Sequence, residues 1–338
     1  MRILLVRPDG IGDEILCLPV ASELHRLRPA DTITFLSSLH AAPVLAHHRD
    51  LDEVLTLTGR ERFSELVALF RRGFDAVLFL KPFRRLMLAA FVARVPVRVA
   101  TGYRWYSLLA NRRVYEHRSD FAKHESEYNL GLLRGLGLTP GPGKAPELTL
   151  TEEERQWARV RLDGLPEARV VVHPGGLSSR RWKAEHYQTL IQRLTREGFA
   201  VVVTGSREEA EEFHAGVTAS HAATSHVLDL MGQLTLRQLM AVIGASEAVV
   251  SGSTGPAHLA AALGVSTVSL FDPRRNQLPA RWRPLGRGVV LRPDVPTCPK
   301  CIYEACPYWD CLDRISVEEV TAQVQKATGA KELAVLHV

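Results

Sequence analysis

Short apolar runs and amphipathic stretches alternate along the whole chain. Residues 3–6 are an unbroken apolar run, followed by a helical pattern that ends at Arg28-Pro29; residues 32–36 form the next run, and the run at 76–80 follows a helical pattern near 63–70. Apolar runs of this length, separated by helices, predict strands of a parallel sheet buried on both faces, with crossover connections. From Thr139 to Pro146 the chain becomes rich in proline and glycine, which reads as a linker or hinge. Beyond it the scheme restarts. Tyr187, Leu190, Ile191 and Leu194 fall at i, i+3, i+4 and i+7, as do Leu236, Leu239, Met240 and Ile243, so both segments predict amphipathic helices. Strands are expected at 200–204, 248–251 and 267–271, and a last helix over 315–327 that packs back across the hinge. The pattern predicts two α/β domains, an N-terminal one over 1–150 and a C-terminal one over 151–325 with a tail at 326–338. Their ligand is expected in the cleft between them.

Composition changes this picture little. A chain of 338 residues that is 46% hydrophobic and 23% charged can bury large cores. The net charge of +5 reads as too mild and scattered for nucleic acid, but suits an anionic small molecule or a membrane surface. Arg7, Asp9 and Asp13 interrupt the opening apolar run, so neither a signal peptide nor a membrane span is expected, and the protein is expected in the cytoplasm.

Two segments carry candidate chemistry in the second half. One runs Val170-Val-Val-His173-Pro-Gly175-Gly176-Leu-Ser-Ser-Arg180-Arg181-Trp182, the other Val249-Val-Ser-Gly-Ser253-Thr-Gly255-Pro-Ala-His258. In each, an apolar strand feeds a glycine-containing turn that opens a helix. Such a turn aims backbone N–H groups and the positive end of the helix dipole beyond the strand. Two of them suit a doubly charged pyrophosphate, and a nucleotide is the economical ligand. In the first half, Arg7-Pro-Asp9-Gly10-Ile-Gly12-Asp13 partly matches a dinucleotide fingerprint. Ile15 stands where the third glycine belongs, however, and the second strand ends in Ser37-Ser38 instead of an acidic residue, which disfavours a nicotinamide enzyme. Asp13 near a helix start has two readings, a helix N-cap or a general base ionised at neutral pH, and spacing alone leaves both open.

Taken in order, the opening segment through Asp13 with Leu18-Pro19, then His173-Pro-Gly-Gly, Arg180-Arg181-Trp182, Val203-Thr-Gly205-Ser and Gly255-Pro-Ala-His258-Leu-Ala-Ala-Ala-Leu-Gly264 resemble glycosyltransferase family 9, the lipopolysaccharide heptosyltransferases. The resemblance implies a GT-B fold, two Rossmann-like domains with parallel sheets facing across a cleft, the first taking the acceptor and the second the nucleotide sugar. It implies an inverting, metal-independent transfer, heptose from ADP-heptose onto a lipopolysaccharide-core acceptor, with Asp13 as the base. Arg180 would meet the pyrophosphate, helped by N–H groups near Gly175, Gly176, Thr254 and Gly255, with His258 near the phosphates and Gly12 among the donor contacts. Glu208 or Glu209 would hold the ribose, and Met231-Gly232 would read the adenine edge. One position departs from the family pattern: Ser253 stands where an Asp is usual. That leaves room for a different nucleotide-sugar donor, or for a non-catalytic nucleotide- or sugar-binding protein on the same scaffold.

The acceptor side rests on charge. Arg60, Arg62, Lys81 and Arg84 are the candidates for an anionic lipid-linked glycan, and contact with the inner face of the cytoplasmic membrane would follow. No cofactor is expected for transfer. Cys298, Cys301, Cys306 and Cys311 form a CxxCx4Cx4C cluster, read either as structural zinc, as an iron–sulfur centre, or as plain thiols. Asp50-Leu-Asp52 has the form of a metal-binding pair but reads as a loop before a strand.

Overall fold

A computed structural model describes residues 1–176, 180–215 and 226–329. The chain divides into two compact units, Met1–Thr149 and Leu150–Val338. The first holds strands β1 (Arg2–Val6), β2 (Thr32–Ser38), β3 (Glu53–Leu57), β4 (Ala76–Phe79), β5 (Val97–Thr101) and β6 (Arg112–Val114). All pair in parallel, in the order 3-2-1-4-5-6. The second holds β7 (Arg169–His173), β8 (Ala200–Val203), β9 (Val227–Asp229), β10 (Ala248–Gly252), β11 (Ser266–Leu270) and β12 (Gly288–Leu291). These too are parallel, in the order 12-11-10-7-8-9, the same topology again.

The period of two along a strand divides each apolar run between two cores. Ile3 and Leu5 pack with Ile33, Phe35 and Leu78 on one face of the first sheet, while Leu4 and Val6 pack with Leu36, Val77 and Phe79 on the other. That is why β1 is apolar at every position from Ile3 onward. The helix Ala184–Arg196 buries Tyr187, Leu190, Ile191 and Leu194, the stripe that the sequence predicts. The last helix, Val317–Ala327, packs on Ala184–Arg196 and on β10, β11 and β12 of its own unit, burying Val317, Val320 and Val324. Trp182 fixes that contact by donating its indole N–H to the Ile315 carbonyl at 3.0 Å. The tail residues 330–338 lie outside the described residues, and among those described no helix is long and apolar enough to cross a membrane.

Connectivity sets where ligands can bind. In the first sheet the chain runs from β1 outward to β2 and β3, then crosses to β4 on the other side of β1; in the second it does the same from β7, crossing to β10. The loops leaving the carboxyl ends of β1 and β4, and of β7 and β10, therefore diverge and leave a crevice at a topological switch point.

Candidate active site

In the first unit, the switch point is filled by charge. Arg7, the residue after β1, is buried at 3% exposure. Its guanidinium donates to Glu125 Oε1 at 3.0 Å and to the Asp13 carboxylate, and its Nε lies 3.5 Å from Asp9 Oδ2. Lys81, just beyond β4, donates to Asp9 as well. Glu125 is buried and is also held by Arg118. Asp13 sits in the short helix Ile11–Ile15, whose N-cap is Gly10 with no side-chain cap. The capping role expected as one reading of Asp13 is thereby corrected: the residue lies three positions inside, and its carboxylate turns to Arg7. Burial pushes its pKa above the ordinary carboxylate value, and the Arg7 charge opposes the shift. The group remains partly exposed, as a base that must reach a substrate requires.

Glu14, next in sequence, has a different task. It is fully buried and accepts from the Ser37 hydroxyl, from the Ser38 N–H at 3.0 Å, from the Ser38 hydroxyl at 3.1 Å and from the Asp9 N–H at 3.2 Å. Burial pushes it up to about 7 against these hydrogen bonds. It clamps the opening loop to the end of β2, so Ser37 and Ser38 serve as donors to an acid from another element. Of the acceptor candidates, only Lys81 joins this group. Arg60, Arg62 and Arg84 are exposed, and Arg62 pairs at the surface with Glu65 at 2.8 Å. Gly12 lies beside Asp13 in the first unit, whereas the other predicted donor contacts are in the second.

In the second unit, β7 and β10 lie side by side, with Ser251 in register with His173, so the two predicted turns leave adjacent strand ends. His173 is buried, its Nδ1 3.0 Å from Thr204 Oγ1 and its Nε2 3.7 Å from Glu209. Burial lowers its pKa and Glu209 opposes this. Glu209 accepts from the Gly176 N–H at 2.7 Å and from the Ser206 N–H at 2.8 Å. Glu208 is exposed in the first turn of the next helix. The carboxylate that reaches the glycine loop is thus Glu209, and the Gly176 N–H expected to point outward is already taken by it. A further correction concerns the helix. Ala184–Arg196 starts well past the glycines, with Lys183 at its N-cap and the Lys183 N–H donating to Asp313. Its N-terminus is not opened by that turn.

The turn after β10 does meet its expectation. Thr254 is the N-cap of Gly255–Ala262 in extended conformation, without a side-chain cap, and Pro256 occupies the first turn. Ser253 is buried and donates its N–H to the Leu270 carbonyl at 3.0 Å, and His258 is buried in the same helix. Met231 belongs to the core, with its N–H on Asp229 at 2.9 Å. Gly232, at φ +70°, donates to the Gly205 carbonyl at 2.9 Å. Arg180 is held from both ends: its N–H donates to Asp272 at 3.1 Å, and its guanidinium donates to the Trp309 carbonyl, 5.5 Å over the Tyr303 ring. Asp272 is fully buried and bonded to Arg274, a feature that sequence spacing did not single out.

Arg180 thus leans on the cysteine-bearing loop. Cys298, Cys301, Cys306 and Cys311 line one pocket with Arg180 and Arg274. Among the described residues, no three His, Cys, Asp or Glu side chains converge into a group that could hold a metal ion, so these cysteines do not fit the zinc or iron–sulfur reading. Burial raises the Cys298 and Cys311 pKa values.

Two Rossmann-like units of identical topology, each with its polar groups gathered at a sheet switch point, are the parts of a GT-B fold. The sequence model of Glycosyltransferase family 9 (heptosyltransferase) matches residues 63–307, and the chain belongs to that family. It is 26% identical over 293 residues to lipopolysaccharide heptosyltransferase 2 of Escherichia coli K12, covering 81% of this chain and 83% of that protein. Its fold is that of the family 9 glycosyl transferase of Veillonella parvula, with a TM-score of 0.83 at 21% identity over 98% and 97% of the two chains. The ADP-heptose heptosyltransferase II of E. coli superposes with a TM-score of 0.81 at 23% identity over 97% and 98%.

Proposed function

We propose that this enzyme transfers heptose from ADP-heptose to an anionic, lipid-linked lipopolysaccharide-core acceptor by a single inverting displacement. The observation that carries the mechanism is the partly exposed Asp13 carboxylate beside buried Arg7 at the first switch point. Arg7 keeps the base ionised while burial raises its proton affinity, and both properties suit proton abstraction near neutral pH. As the acceptor oxygen attacks the anomeric carbon, its proton passes to Asp13. The bond from that carbon to the diphosphate oxygen breaks, and ADP leaves with the electron pair. Attack from the face opposite the leaving group inverts the configuration.

The uncapped start of Gly255–Ala262 supplies N–H groups and a dipole to receive the diphosphate, with Arg180 and His258 adding to it. These groups need no metal to neutralise the leaving group. Glu209 takes the role of ribose acceptor in place of Glu208, and Lys81 recognises the acceptor's acidic group. Support for the donor and acceptor comes from the names of the relatives. An acceptor of this kind is embedded in a bilayer, which puts the enzyme at a membrane surface. Ser253 favours one second reading, a transferase for another donor sugar: a short hydroxyl in place of the usual carboxylate removes a charge-assisted bond worth about 1.5–3 kcal/mol.

The test is ADP release from ADP-heptose with a lipopolysaccharide-core acceptor. Asp13→Asn is expected to lower turnover by about 10²–10⁴-fold, with ADP affinity measured by calorimetry unchanged. Full activity in that variant would overturn the base assignment. Release only from another nucleotide sugar would move the donor, and tight binding without release from any would make the chain a binding protein.

A further inference from the structure

The charge that makes this chain basic is concentrated in one stretch. Between Asp75 and Glu116 there are eight basic residues and no acidic one, against a net charge of +5 for the whole chain. Six of the eight, Arg84, Arg85, Arg94, Arg104, Arg112 and Arg113, are exposed. Among the described residues, none of these six pairs with a carboxylate side chain.

The same stretch exposes large apolar side chains in an ordered way. The helix Arg84–Val92 buries Leu86, Met87, Ala89 and Ala90, and leaves Leu88, Phe91 and Val92 in solvent at i, i+3 and i+4. The 3-10 helix Trp105–Leu109 packs on that helix. Ser107 is buried and donates to the Thr101 carbonyl at 2.6 Å, and the Tyr106 hydroxyl donates to the Pro82 carbonyl at 3.0 Å. Trp105 and Leu108, at i and i+3, eclipse each other on the opposite side, 73% and 64% exposed. Arg98 joins the two elements, its guanidinium 5.4 Å over the Phe91 ring and donating to the Leu109 carbonyl at 2.8 Å.

We propose that this stretch, with exposed Leu88, Phe91, Val92, Trp105 and Leu108 and the six exposed arginines, docks the enzyme onto an anionic lipid bilayer. Aliphatic and indole side chains enter the headgroup boundary while arginines meet lipid phosphates, the division of labour of interfacial segments. Nucleic acid would answer the arginines but has no use for Leu88, Val92 and Leu108. A second copy of this chain would set arginine against arginine across a two-fold contact. The inference deepens the reading of a lipid-linked acceptor and borrows from it only the presence of a bilayer.

Co-sedimentation of the full chain with phosphatidylglycerol/phosphatidylethanolamine vesicles, in the absence of donor and acceptor, tests it. The outcome is thus separate from that of the transfer assay. Binding is expected to anionic vesicles and not to phosphatidylcholine alone, and to weaken with salt. Trp105→Ser with Leu108→Ser, and separately Arg112→Glu with Arg113→Glu, should each weaken it at least about tenfold, while an unshifted melting transition of the first unit in scanning calorimetry shows that both variants remain folded. No sedimentation of the wild type, equal binding to neutral vesicles, or undiminished binding by both variants would overturn the proposal. So would retention on duplex DNA as strong as on vesicles, or a dimer that the Trp105/Leu108 variant dissolves.

Discussion

Arg7 is buried in the first unit in the company of Asp9, Asp13 and Glu125, whose carboxylates offset the cost of taking its charge out of water. Glu14 has no such cation, and its position has a consequence for pH. Its carboxyl is raised from an ordinary 4.5 to about 7 in the folded protein. Between these values the native state holds a proton that the unfolded chain has released, so stability falls as pH rises through the window. With about 1.4 kcal/mol per unit, the loss approaches 3 kcal/mol. Glu14→Gln should abolish this component. Its melting temperature, followed from pH 5 to pH 8, is expected to gain on the wild type as pH rises; parallel curves would show Glu14 to be ionised throughout. At this scale Asp13 stood out in the sequence as a glycine-flanked acid after a strand, a local signal that spacing alone left open to two readings. The sequence did not reveal Arg7 and Glu14 as partners, since Arg7 meets Glu125 across 118 positions and Glu14 meets Ser37 across 23.

Among the elements, the runs buried on both faces were legible from one end of the chain to the other, since β1, β7 and β10 have no polar side to disguise them. The strands that spacing passed over are β5, whose apolar positions are broken by Arg98 and Thr101, and β6, β9 and β12, edge strands of only three or four residues. The turns were legible as motifs but not in their bonding. A glycine pair after β7 suggested open N–H groups, yet Glu209 occupies one of them from a helix some thirty residues away. A Cβ on Gly175 would stand 2.2 Å from the Glu209 carboxylate, so Gly175→Ala must drive that side chain off the Gly176 N–H. If Glu209 holds the ribose, ADP affinity by calorimetry should fall about tenfold, the worth of one hydrogen bond to a charged group. An unchanged affinity would mean that Glu209 only braces the loop. The overall charge misled in a similar way: judged by its total it reads as scattered, and only its absence of acids between Asp75 and Glu116 shows it to be gathered.

For the molecule as a whole, the same sheet order is built twice from sequences with no short-period repeat, and each copy closes its own core. The cores share no residue, so the two units have the means to melt separately. The proposed division of labour gives only the second of them a nucleotide. A ligand that binds one native unit stabilises that unit alone, by about 2.7 kcal/mol at a hundred times its dissociation constant. For a unit of this size that is roughly 5–10 °C. Scanning calorimetry with saturating ADP should therefore show two transitions, one displaced upward by that amount and one in place. Arg7→Met, which leaves Asp9, Asp13 and Glu125 without their shared cation, should lower the transition that ADP leaves alone. If ADP and Arg7→Met shift the same transition, the nucleotide cannot belong to the second unit alone, and the assignment of donor and base to separate halves of the chain fails with it.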